Sequence, residues 1–294
     1  MGAMPRLLII GCGDIALRVV SQLDARWRIY ALSRNPAQYA NLRSLGIIPV
    51  PGDLDRLASL RRLAGLAEYV LHFAPPPNHG GEDSRTRHLL AALGKSKSLP
   101  QHLIYISTSG VYGDCAGALV SETHPINPKN PRAMRRVDAE RRLRAWGKRR
   151  GATVSILRTP GIYAAPDRLP LRRLQTPMPV LRPQDDVYTN HIHADDLARI
   201  AITALYRGKP GRVYNASDDG HLKMGEYFDL IADHFHFARP PRIARAEAAG
   251  SMPESLLSFM NESRRIVNAR IKRELGVALV YPDVRKALLK SKDA

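Results

Sequence analysis

The sequence predicts an α/β fold: a doubly wound parallel sheet with a smaller C-terminal lobe. Three observations lead there. A short apolar run, Leu7 to Ile10, breaks into Gly11 and Gly13 and changes to helical spacing at Ile15, Ala16, Val19, Val20 and Leu23. Further short apolar runs alternate with helix-like stretches as far as Tyr163. At 294 residues the chain is long enough to bury a large core.

Leu7 to Ile10 has the length and composition of a strand buried on both faces. The stretch Gly11-x-Gly13-x-x-Ala16 follows it and opens the first helix. In such a turn the first glycine makes the bend and the second lets backbone approach a pyrophosphate. The third small residue keeps helix and strand close. The helix start adds free N–H groups and a partial positive charge. Gly11, Gly13, Asp14 and Ile15 are therefore the candidates for holding the phosphates of a dinucleotide.

Trp27 to Ser33 reads as the second strand, with Asn35 as N-cap and Pro36 as first residue of a helix that stops at Gly46. Ser33 and Arg34 stand about 20 residues beyond the glycines, where a carboxylate would accept from a ribose 2′-hydroxyl. No carboxylate is present there, and an arginine suits a 2′-phosphate, so NADP(H) is expected ahead of NAD(H). Ile47 to Val50 is a third strand whose Pro49 suits a sheet edge, as the order 3-2-1-4-5-6 requires. Asp53 and Leu54 follow, and Leu57, Leu60, Leu63 and Ala64 mark a helix. Tyr69 to Phe73 is the fourth strand, leading into Ala74 and three prolines, a stiff loop at the end where such sheets bind ligands. A helix from about Arg85 to Leu93 stops at Gly94, and His102 to Ser107 is the fifth strand.

After that strand comes Thr108-Ser-Gly-Val-Tyr112-Gly, and with it the chain resembles the extended short-chain dehydrogenase/reductase family, the NAD-dependent epimerase/dehydratase group. It most resembles an atypical subgroup with a Gly-Cys-Gly-Asp opening and no Tyr-x-x-x-Lys. Leu157-Arg-Thr-Pro160-Gly-Ile-Tyr163 is similar to that family's loop after strand six, and Asn190-His-Ile-His193-Ala-Asp195-Asp196 to its Ile-His-Val-Asp-Asp element. Val213 to Asp219 resembles its last strand, and Glu262 to Asn268 with Glu274-Leu-Gly276 its C-terminal lobe.

The resemblance implies a Rossmann domain over residues 1–163 and 190–216 and a substrate lobe over 164–189 and 217–294. It places Asp53 and Leu54 at adenine, and Phe73, Ala74, Pro75 and Pro160 around ribose and nicotinamide. It also implies a catalytic Ser or Thr, here Thr108, and a Tyr-x-x-x-Lys pair at the helix opening on Pro131. There the alignment gives Arg132 and Arg136. Arginine, with a pKa above roughly 12, is no proton donor at neutral pH, which leaves Arg136 for ribose hydroxyls or a substrate phosphate. Tyr112, on a loop the resemblance puts near the nicotinamide, is the expected substitute acid, and Tyr163 the next candidate. Lys148 stands roughly 18 Å along the helix from Arg136 and is too far to serve.

The net charge of +18, mostly Arg, favours acidic partners. No basic tail or recognised nucleic-acid module accompanies it, so nucleic acid is an alternative rather than the expectation. On the helix from Pro131 to Arg150, Val137, Leu143 and Trp146 mark the buried side and most of the arginines a solvated face. Two distant cysteines, Cys12 and Cys115, give no disulfide framework, and no apolar run approaches the roughly 18 residues of a membrane span. A reducing cytoplasm is expected. His191 and His193 suggest helix-start roles rather than a metal site. The sequence thus predicts an NADP-dependent oxidoreductase or epimerase acting on a phosphorylated or nucleotide-linked carbonyl compound, with a homodimer implied by the family. A non-catalytic NADP(H) sensor and a basic nucleic-acid-binding protein are the alternatives.

Overall fold

Seven strands hydrogen-bond into one parallel sheet: β1 (Arg6–Ile10), β2 (Arg28–Ser33), β3 (Ile47–Pro51), β4 (Tyr69–His72), β5 (His102–Thr108), β6 (Thr153–Thr159) and β7 (Arg212–Asn215). Their order is β7-β6-β5-β4-β1-β2-β3. The computed structural model describes residues 4–290 apart from 166, 177 and 252–259. Residues 166, 177, 252–259 and 291–294 of the expected lobe therefore lie outside the described residues.

Leu7, Leu8, Ile9 and Ile10 of β1 are fully buried, as a run without polar alternation requires of a central strand. From β1 the chain winds outward to β2 and β3, then returns to β4 on the other side. The strand order therefore reverses between β1 and β4, and their carboxyl ends bound a crevice. Pro49 lies in β3 at the sheet edge, where its missing N–H leaves no ladder bond unmade.

Two expected helices take a tighter form. After Asn35, whose side chain accepts from the Ala37 N–H, a 3₁₀ turn over Pro36–Gln38 leads into α2 (Tyr39–Ser44). Leu57–Leu63 is a 3₁₀ helix throughout. Its leucines recur every third residue, which aligns Leu60 and Leu63 toward the core at three residues per turn.

The two faces of the sheet are covered by different helices. α1 (Asp14–Gln22) and α5 (Ala194–Arg207) pack Ile15, Val19, Leu197 and Ala201 on one face. Ile271 and Leu275, from far along the chain, join that same core. α3 (Ser84–Leu93) and α4 (Pro131–Arg150) cover the other with Leu89, Leu93, Leu143 and Trp146. A separate core of Tyr163, Leu169, Val180, Phe228, Ile231 and Leu288 is built around α6 (Met224–His234). Asp196, fully buried on α5, accepts from the Val280 and Tyr281 N–H groups and so ties the C-terminal segment down. No described helix is long and apolar enough to cross a membrane.

Candidate nucleotide and substrate site

Gly11 has φ +92°, and a Cβ there would lie 2.5 Å from the Ala74 nitrogen, so only glycine fits. The close approach comes from Ile10, whose carbonyl accepts from both the Phe73 and Ala74 N–H groups at 2.8 Å. Gly11, Phe73 and Ala74 are thereby fixed side by side across the β1/β4 crevice. At Gly13 a Cβ would meet nothing within 4 Å, which leaves the backbone before α1 open to a ligand. Ile15 is buried beneath the turn. The Asp14 carboxylate accepts from Arg18 at 2.9 Å and, across the crevice, from Arg168 at 2.8 Å.

At the end of β2 the Ser33 hydroxyl is tied back to Asn35 and Gln38. Arg34 is exposed and makes no hydrogen bond or ion pair among the described residues. Asp53 is held by Ser59, and the buried Leu54 by a 2.7 Å contact between its carbonyl and the His88 ring. Arg85 pairs with Asp55 at 2.7 Å, which holds that carboxyl below its ordinary value. Arg85 also donates to the Pro75 carbonyl, tying the proline loop to the same edge.

A groove of about 730 Å³ continues past β5 and β6 toward the lobe. Thr108 and Pro160 lie on its sheet side, Arg132 and Arg135 on α4, and Arg168, Tyr188 and Arg264 on its far wall. The Thr108 oxygen accepts from the Gly110 N–H at 3.2 Å, so its own proton is free to donate into the groove. α4 is aimed there by its cap: the Asn130 side chain accepts from the Ala133 N–H, and Pro131 occupies the first helical position. Arg264 pairs with Glu262 at 2.7 Å and also donates to the Gly113 carbonyl.

Two expected site side chains point elsewhere. Tyr112 is 1% exposed and donates its hydroxyl to Asn215 at 2.7 Å, and burial pushes its phenol up. Arg136 turns inward and donates to the Ile106 carbonyl at 2.6 Å and to the Tyr105 hydroxyl at 3.0 Å. Both are drawn into the frame behind β5, where the buried Arg158–Glu140 pair sits at 2.8 Å and Arg158 stacks over the Tyr112 ring. Tyr163 is buried too, wedged edge-on against His191 and His193. Burial raises its phenol and also the nearby Asp218 carboxyl. The His193 ring caps α5 by accepting from the Asp195 N–H, the helix-start role expected of it.

Sequence reasoning passed over Arg168 and Tyr188, and Arg264 beyond its place in a C-terminal motif. None stands at a telling spacing from the glycine loop; the fold alone brings them to the groove. Tyr188 is the groove's one lining tyrosine among the described residues. Its ring lies under Arg265 at 5.0 Å and beside Lys223 at 6.0 Å, and its hydroxyl has no protein partner among the described residues.

The profile of the NAD dependent epimerase/dehydratase family matches residues 8–217. The chain belongs to this family. The strained Gly11 turn, the open face at Gly13 and the unpaired Arg34 are a fit for a nicotinamide dinucleotide, the cofactor class of the family. Among curated proteins the chain is 28% identical over 132 residues to the human dTDP-D-glucose 4,6-dehydratase, covering 42% of this chain and 37% of that one. It thus spans little more than a third of that relative's length. Among solved structures it is similar to a functionally unknown conserved protein from Silicibacter pomeroyi DSS, 29% identical with a TM-score of 0.78, covering 99% of this chain and 100% of that one. A UDP-glucuronic acid 4-epimerase from Bacillus cereus in complex with NAD shares the fold at 18% identity and a TM-score of 0.75, over 96% of both chains.

Proposed function

We propose that this family member is an NADP(H)-dependent oxidoreductase or epimerase of a phosphorylated or nucleotide-linked carbonyl compound, working without the Tyr-x-x-x-Lys pair. The observation that supports this reading best is the groove itself. It combines a free Thr108 proton with the cations Arg132, Arg168 and Arg264 at the carboxyl ends of the strands. Gly11, Gly13 and the start of α1 hold the pyrophosphate through backbone groups, and Arg34 meets the 2′-phosphate. When bound, the nicotinamide supplies or accepts a hydride. Thr108 donates to the substrate carbonyl, Arg132 and Arg168 hold its phosphates, and Tyr188 moves the proton.

A second reading is a non-catalytic NADP(H) sensor. It is favoured by arginine at both acid/base positions and by the commitment of the Tyr112 hydroxyl to Asn215. Calorimetric titration with NADPH and NADH, followed by turnover assays on nucleotide-linked sugars, separates the readings. Arg34→Ala should weaken NADPH binding about tenfold, the order of one exposed charge-assisted hydrogen bond, and leave NADH unchanged. Equal losses would remove the 2′-phosphate assignment. Turnover abolished by Tyr188→Phe with cofactor binding intact supports the enzyme; binding without turnover on any substrate supports the sensor.

A further inference from the structure

Far from the strand ends, α3 and α4 diverge to leave a second cavity of about 540 Å³. Arg87 enters it from α3, and Arg141, Arg142, Arg149 and Arg150 from α4, around Trp146. Arg149 lies seventeen residues beyond Arg132 on one helix, about 25 Å along the axis, so this is not an extension of the groove.

Its chemistry is one-sided. No acidic side chain lines it. Arg142 is paired with Asp138 and Glu82, both at 2.7 Å. The side chains of Arg87, Arg141, Arg149 and Arg150 make no hydrogen bond or ion pair among the described residues. Trp146 is 4% exposed, and its indole N–H is buried without an acceptor. That N–H and the Arg150 guanidinium converge near Gly94, which closes α3 and adds no side chain between them. Arg149 and Arg150 stand in the last turn of α4, where one cation offsets the helix's half negative charge; the others exceed that need. A buried orphan donor is costly, and the polar side chains that line the cavity are all donors. A ligand made of acceptors would complete the set. A second copy of the chain meeting this face would set the same guanidiniums against themselves.

We propose that this cavity is an anion site that takes a compact polyphosphate, held by the arginines that surround Trp146. The volume is that of a small-molecule pocket, and phosphate oxygens match arginine in geometry and charge. The proposal is independent of the function assigned to the strand-end groove.

The chain has two tryptophans, and Trp27 lies in the core of the opposite face, against Tyr69 and Tyr206. A Trp27→Phe variant therefore leaves Trp146 as sole reporter. Titration with inorganic triphosphate should change its fluorescence, with affinity falling steeply as NaCl is raised. Arg149→Ala/Arg150→Ala, both exposed, should lower that affinity at least tenfold while NADPH affinity stays unchanged. Calorimetry on the chain with both tryptophans reads the same loss if Trp27→Phe fails to fold. No heat and no fluorescence change, an affinity indifferent to the double substitution, or binding of a single-stranded oligonucleotide without triphosphate would each overturn the proposal.

Discussion

Glu140 shows how much one residue of α4 holds. Its carboxylate accepts from Ser107 on β5 at 2.6 Å and from the Arg158 guanidinium on β6, with both charged side chains 5% exposed. A pair this deep gives up its hydration, so its worth as a stabiliser is small while the loss of one partner is large. Glu140→Gln leaves a buried guanidinium without its counter-charge and should cost about 3–5 kcal/mol, read as a lower urea midpoint. A midpoint within experimental error of the parent would show that Arg158 finds another acceptor. The same frame explains why Tyr112 is a poor acid here. Its hydroxyl is committed to Asn215 and its ring to Arg158.

At the scale of elements, three histidines are packed neutral where elements meet. His72 ends β4 and contacts Thr86 of α3 at 2.8 Å; His191 stacks on Tyr227 of α6; His193 caps α5 and stacks on Tyr281. Burial lowers the first two to about 3 and the third to about 4. The unfolded chain binds these protons near pH 6.5 and the native chain does not, so their contribution is complete above that pH and is lost below it. Each removes about 1.4 kcal/mol per pH unit. The buried Asp218 carboxyl, raised in the native state, opposes the trend by one proton. Stability measured by urea unfolding should therefore fall between pH 7 and 5.5. A flat or rising profile would mean that these rings are protonated in place.

Over the whole molecule, a surplus of +18 opposes compactness at low ionic strength. Among the described residues many of the acids are already paired, as in Arg6–Glu68, Arg212–Glu274 and Lys272–Asp219, so the excess arginines repel one another. The melting temperature should rise from about 0.01 M to about 0.15 M NaCl, as the screening length shortens from about 30 to 8 Å. A fall over that range would show that the ion pairs outweigh the repulsion. Across the crevice, the Asp14–Arg168 pair joins the glycine turn to the far wall of the groove, so the arginine proposed to hold a substrate phosphate also links the two sides.

The strand-turn-helix at Gly11, the edge position of Pro49, the caps at Asn35 and His193 and the alternation of elements are local properties. Period, φ and hydrogen-bonding capacity are fixed by neighbours in the chain, so the sequence by itself determined the fold, the family and the place of the glycine turn. It also showed that α4 opens on arginine, at the position where the resemblance implies a tyrosine. The direction each side chain takes from that scaffold depends on partners scores of residues away. Tyr112 and Arg136 turn inward because Asn215, Ile106 and Tyr105 offer buried polar partners there. Arg168, Tyr188 and Arg264 reach the groove because the chain returns to it after leaving the sheet. Only the tertiary structure decided these, since contacts between distant segments leave no period in the sequence.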